Sequence, residues 1–418
     1  MSEEAAATLD TPSRRSGAAI FIFGTVLLDM LALGVVIPIL PKLIEGFVDN
    51  DTASAARIFG LFGTAWALMQ LLFSPILGGL SDRFGRRPVV LLSNFGLAAD
   101  YVLMALALAP SLVWLFIGRL ISGITSASVS TAFAYITDVT APEQRATMFG
   151  KIGVAFGAGF ILGPALGGLL GGFDPRLPFW VAAGLSFANG LYGLLILPES
   201  LPRERRSPFR WKSANPIGAL HLLRSDRVLA GLSLANFFAQ LAHVVLPSTY
   251  VLYATYRYGW DTATVGATLA LVGLCQMIVQ GAAIGPIVKR FGERRALLFG
   301  LACGAIGFLI FASAPTGALS WFGIPVMALW GVAGAALQAL ITQLVAPDQQ
   351  GQLQGATTSV QSVSQLVGPF LFTLTFAYFI GTSAPFKLPG APFFLAAALL
   401  LLALLVASLT LARKAQAS

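Results

Sequence analysis

Apolar residues fall in long blocks separated by short polar breaks. Six blocks, at about 17–40, 58–81, 89–108, 112–135, 148–172 and 178–198, precede a polar stretch at 199–227. Six more follow, at about 228–252, 263–287, 295–313, 321–343, 352–380 and 391–412. Each approaches or exceeds the roughly 20 residues that a helix needs to cross a hydrocarbon core of about 30 Å. The pattern predicts an all-α membrane protein of twelve transmembrane helices in two pseudo-symmetric six-helix bundles. The expected organisation is a tail at 1–16, a bundle at 17–198, a basic linker at 199–227, a second bundle at 228–412 and a tail at 413–418. The first block carries Asp29 and no small-residue cleavage site, so it is expected to remain as a span and not to leave as a signal peptide.

Composition changes the picture by exclusion. Of 418 residues, 11% are charged and 56% apolar, with a mean hydropathy of +0.80. Soluble domains carry roughly 25% charged residues. The net charge of +8 is spread over short loops between spans, which argues against a nucleic-acid partner. With a cytoplasmic N-terminus, 20 of the 26 Lys and Arg residues fall on cytoplasmic segments, five fall opposite and Arg119 lies within the membrane. The positive-inside rule then puts both termini in the cytoplasm. Cys275 and Cys303 both sit in apolar runs and read as packing residues, not as a disulfide or a zinc site.

The halves echo one another. Gly78, Arg83, Phe84, Gly85 and Arg87 of "GGLSDRFGRR" reappear 207 residues later as Gly285, Arg290, Phe291, Gly292 and Arg294. "APEQRATMFG" is echoed by "APDQQGQLQG", and Gly163-Pro164 by Gly368-Pro369, at an offset of 205. Such a duplication, with a site near the bilayer midplane, is the plan of many transporters.

Charges inside a bilayer cost a few kcal/mol even on lenient scales and mark function by default. Asp29 in span 1, Asp100 in span 3 and Arg119 in span 4 all fall near the middle depth at about 1.5 Å per residue. They read as a buried set with one carboxylate to spare for a proton, or else as a static ion pair. Uncharged polar residues form stripes: Gln70 in span 2, Asn236, Gln240 and His243 in span 7, Gln276 and Gln280 in span 8, Gln338 in span 10, and Gln361 and Gln365 in span 11. Such residues suit a polar organic ligand in an apolar cavity or hydrogen bonds between helices. His243 can titrate near neutral pH and joins the proton-coupling candidates. In span 5, Gly157, Gly163 and Pro164 are expected to allow close packing or a hinge. No phosphate loop, zinc-protease or serine-hydrolase motif occurs, so neither an enzyme nor an ATP-driven pump is expected.

At this point the chain resembles a family. "GGLSDRFGRRP" is similar to the helix 2–3 signature of the major facilitator superfamily, "GRLISG" to its helix-4 motif, and "GKIGVAFGAGFILGPALGG" to the helix-5 motif of drug/proton antiporters. "LDMLALGVVIPILP", "YITD", "LPES", "GERRAL" and "GQLQG" resemble the tetracycline/proton antiporter branch. The resemblance implies a two-bundle fold with alternating access. It implies export of an amphipathic drug, with a magnesium–tetracycline chelate as a candidate cargo, against an incoming proton, with no permanently bound cofactor. It also implies a monomer in a bacterial inner membrane. By position, Asp29, Gln70, Asp100 and Arg119 match the branch's membrane residues. The branch's helix-8 histidine and helix-9 aspartate are matched by Gln276 and Cys303, and His243 is the candidate replacement. Within the signature loop, Arg83, Gly85, Arg86 and Arg87, with Arg145 beyond, are expected to serve topology and gating. Asp82, whose repeat counterpart is Lys289, is expected to latch onto the start of span 11 or to pair with Arg83 or Arg145.

Overall fold

The computed structural model describes residues 12–106, 112–125, 128–140, 142–206, 223, 226–345 and 350–417. Its elements are helical. The first half contains α1 (Pro12–Val36), α2 (Leu40–Gly46), α3 (Thr52–Phe84), α4 (Arg86–Leu106), α5 (Leu112–Thr125), α6 (Ser128–Val139), α7 (Pro142–Phe173) and α8 (Leu177–Ile196). The second contains α9 (Arg227–His243), α10 (Val245–Tyr258), α11 (Thr262–Ile278), α12 (Ile284–Ser313), α13 (Gly317–Trp321), α14 (Gly323–Ala328), α15 (Gly331–Thr342), α16 (Gln350–Ile380) and α17 (Ala391–Ala417). Short polar side chains start several of them. Asp226 accepts from the backbone N–H groups of Val228 and Leu229, and Asp261 from that of Thr264, satisfying donors that a helix leaves open.

Among the described residues, ten helical stretches are long and apolar enough to cross a membrane. One of them, Thr262–Ser313, has 52 residues and is broken at Gly292 (φ 76°). At 1.5 Å per residue it would span about 78 Å unbroken, so it makes two crossings. The shorter apolar helix Leu112–Thr125, which α6 follows in the chain, is the candidate for a further crossing. The count thus agrees with twelve. Many outward-facing side chains are large and apolar, among them Leu72, Trp114, Phe173 and Leu195. Soluble surfaces avoid such coverage; lipid-facing ones require it.

The chain forms two compact units. One joins the chain up to Leu40 with Ala65–Ala214; the other joins Pro41–Thr64 with everything from Asn215 onward. A cut at the central linker would leave residues 41–64 with the first half. Their contacts group them with the second, where Gly60 and Gly63 of α3 lie against Thr373 and Pro369 of α16.

In the first unit the seam between α1 and α7 is backbone against backbone. A Cβ placed on Gly163 would come within 2.6 Å of the Cα of Gly34. Close packing is therefore what Gly163 provides, and α7 runs unbroken through Pro164. Gly157 faces open space in this structure. Ile22, Val26, Tyr135, Ile136 and Ile152 fill the core beside the seam. The second unit is built around aromatic rings: Tyr253 and Phe393 have centroids 4.8 Å apart, and Phe311 stacks on Phe393 at 5.9 Å.

Candidate functional site

Three polar centres stand out, two in the first unit and one in the second. The first is the intramembrane charge set. Asp100 on α4 is fully buried, and Arg119 on α5 donates from Nη2 to its Oδ2 at 2.8 Å. Position 118 makes room for this pair: a Cβ on Gly118 would lie 2.4 Å from Asp100 Oδ1. Arg119 spends one terminal nitrogen on the bond, while its buried Nε has no hydrogen-bond partner among the described residues. Asp29 on α1 has a different neighbour. Asn189 of α8 donates from Nδ2 to Asp29 Oδ1 and to the Thr25 carbonyl, both at 3.1 Å. The carbonyl can only accept, which fixes the amide's orientation. Buried Tyr101 lies within electrostatic reach of Asp29, Asp100 and Arg119. The fold thus gathers all three charges in one region, with Arg119 bonded to Asp100 and Asn189 bonded to Asp29. Gln70 is half-buried on α3.

The second centre is the α3–α4 turn. Gly85 has φ 111°, a left-handed conformation that glycine adopts without strain. Its missing Cβ is also a space requirement, since a Cβ would lie 2.1 Å from Glu199 Oε2. Glu199 accepts from the N–H groups of Arg86 (2.7 Å) and Arg87 (3.3 Å), placing a negative charge on the positive end of α4. Arg86 is not merely a topology charge. Its guanidinium pairs with Asp82 and, at 3.1 Å through Nε, with Asp138 of α6, which also accepts from Ser200 Oγ at 3.1 Å. The expectation that Asp82 pairs with Arg83 is therefore corrected. A helical turn puts positions four apart on one face, so Arg86 meets Asp82, while Arg83 lies over the Phe84 ring at 5.0 Å. Arg87 donates to the Leu194 carbonyl. The Arg145 side chain and residues 346–349, ahead of α16, lie outside the described residues. Gly85→Ala is expected to cost about 1–3 kcal/mol through backbone strain alone, with loss of the Glu199 cap besides. A fall in the melting temperature of the purified protein checks it.

The third centre is a cavity of about 390 Å³ within the second unit. Asn236, Gln240 and His243 of α9, Gln276 of α11, Gln338 of α15 and Gln361 of α16 line it, as expected from the stripes. Trp330, Gln354, Thr357 and Thr358 also line it. The His243 and Trp330 rings lie 5.6 Å apart. Among the described residues no hydrogen bond ties the side chains of Asn236, Gln240, Gln338, Gln354 or Gln361 to another helix, so these amides do not serve as interhelical glue. Gln280 and Gln365 are not among the residues that line this cavity. After α11 the chain makes a π turn, Val279–Ala283, which takes more residues per turn and carries Gln280 to an exposed position. Gln365 lies one turn beyond Gln361, half-buried past the cavity wall. His243 stands among amides, hydroxyls and apolar groups, with no carboxylate among the described lining residues.

Helical crossings, an internal repeat, buried charges and a polar cavity define a membrane transporter, and the comparisons give its class. The chain matches the Major Facilitator Superfamily over residues 22–369 and 232–417 and belongs to it. Within that superfamily it groups with the tetracycline resistance proteins. It is 39% identical to the class C tetracycline resistance protein of Escherichia coli over 367 residues, 87% of this chain and 91% of that one. It is 40% identical to the class G protein of Vibrio anguillarum over 355 residues, 84% and 88% of the two chains. The crystal structure of the human organic anion transporter MFSD10 superposes with a TM-score of 0.69 at 25% identity, covering 95% of this chain and all of that one. This protein is a multi-pass membrane transporter and not an enzyme.

Several contributing residues escaped the sequence reading. Asn189 is a single amide in an apolar span and carries no local signal, while Gly118 opens the "GRLISG" motif, which does not disclose the space it leaves for Asp100. Asp138, Glu199 and Gln354 lie inside "YITD", "LPES" and "GQLQG", short motifs that resembled the family without disclosing what the side chains touch.

Proposed function

We propose that this transporter is a proton-coupled exporter of amphipathic drugs, tetracyclines first. It would work by alternating access as a monomer in a bacterial inner membrane, with both termini cytoplasmic. The observation that carries the reading is the buried charge set: two carboxylates, Asp29 and Asp100, share one region with a single guanidinium, Arg119, which bonds Asp100. A proton delivered to either carboxylate changes what Arg119 can pair with, and its unused Nε offers a second bonding position. That shifts the balance between two conformations, as any differential interaction must. The identity to named tetracycline resistance proteins supports the cargo. A divalent metal would travel with the drug as part of that cargo. His243 lines the ligand cavity, and its role there is to bind; a coupling role would require a proton partner.

The test is a drug panel in inverted vesicles with a pH-sensing dye. Tetracycline addition is expected to release protons from the vesicle lumen, and no proton flux with any panel member would refute the exporter. Conformational control falls to Asp82, Arg86 and Asp138. Asp82→Asn is expected to lower exchange severalfold while leaving membrane insertion and drug binding intact; full exchange in that variant removes Asp82 from the mechanism.

A further inference from the structure

The two halves share a short element that the larger echoes do not include. "GVVIP", Gly34–Pro38, recurs as "HVVLP", His243–Pro247. In the first unit Gly34 meets Gly163 backbone to backbone, closing the space between α1 and α7. In the second unit the glycine's place is taken by His243, whose ring faces Trp330 on the wall of an open cavity. The first unit buries three charged residues near its centre, Asp29, Asp100 and Arg119. Among the described residues, 18 line the cavity in the second, none of them Asp, Glu, Lys or Arg.

This contrast has a chemical consequence. A carboxamide offers both a donor and an acceptor and carries no charge. A wall of such groups bonds hydroxyl, carbonyl and amide edges alike. It offers no counter-ion, and an ion moved from water without a partner loses several kcal/mol of solvation. A further mark of an incomplete polar surface is Gln276 Oε1, which is buried with no hydrogen-bond partner among the described residues. We propose that the second-unit cavity is a charge-excluding subsite that takes an uncharged, oxygen-rich edge of a ring system against the His243–Trp330 pair. Gln354 and Gln361, which face the cavity from α16, set that selectivity. This deepens the exporter reading and rests on its assignment of the cavity to the drug.

The test uses the full chain in lipid nanodiscs and does not depend on proton flux. Binding of the permanent cation tetraphenylphosphonium is measured by equilibrium dialysis at pH 8, with folding checked by melting temperature. Wild type is expected to bind it no better than empty nanodiscs. Gln361→Glu and, independently, Gln354→Glu supply the missing counter-ion and are expected to bind it at least about tenfold more tightly than wild type, one factor of ten being about 1.4 kcal/mol. Ser313→Glu, at the exposed end of α12 and outside the cavity, is expected to behave as wild type. Saturable binding by wild type overturns the proposal, as does unchanged binding by both folded glutamate variants. Failure of tetracycline to drive proton flux refutes the exporter reading and leaves this binding result standing on its own.

Discussion

Asp100→Asn is expected to abolish transport and to lower stability by about 3–5 kcal/mol, the usual cost of leaving one member of a buried ion pair alone. Arg119 would keep its charge in a site with almost no water, and its Nη2 would lose the ionised acceptor now at 2.8 Å. Gly118 leaves no slack for a compensating shift, because Asp100 Oδ1 fills the space a side chain would occupy. The double variant Asp100→Asn with Arg119→Gln separates a brace from a working part. Replacing both charges by neutral groups removes the uncompensated ion, so the melting temperature is expected to recover most of the loss. Transport is expected to stay absent. Recovery of both would make the pair a structural brace and nothing more.

Asp29→Asn is expected to reduce drug/proton exchange in inverted vesicles to the protein-free background, with little change in melting temperature. The substitution conserves shape, and the new amide oxygen can still accept from Asn189 Nδ2, so the contact between α1 and α8 survives. What disappears is the group that can take a proton. Asp100, by contrast, is bonded to the Arg119 guanidinium, which its substitution would strand. The two substitutions therefore differ in kind: one disturbs fold and function together, the other function alone. Unchanged exchange in Asp29→Asn would remove that carboxylate from the coupling step.

Much of the architecture is legible in one dimension. A span must present about 20 apolar residues, and that demand leaves the same trace wherever the helix later packs. The blocks found along the chain accordingly agree with α1 through α17 to within a few residues at most ends. Breaks inside spans were less legible. Val279–Ala283 adopts a π turn within an unremarkable apolar run, and it separates Gln280 from the cavity that Gln276 lines. Pro164 carries the strongest breaking signal in its helix, yet α7 runs through it.

The same division holds for the polar centres. The sequence by itself determined membrane class, repeat and the presence of three costly charges, because burial length and charge in lipid are properties of residue type. It also placed most of the amide stripes, though not Gln280 or Gln365, because helical periodicity maps spacing onto faces. Pairing was decided only by tertiary structure. Asp29 and Asp100 are equally acidic and lie at similar depth, and nothing in their local sequence assigns Arg119 to one and Asn189 to the other. Arg86 is one basic residue among three in its loop until the fold brings Asp138 and Glu199 alongside. The reason is range: hydrophobic length acts along the chain, whereas a hydrogen bond acts over about 3 Å and requires helices distant in sequence to meet.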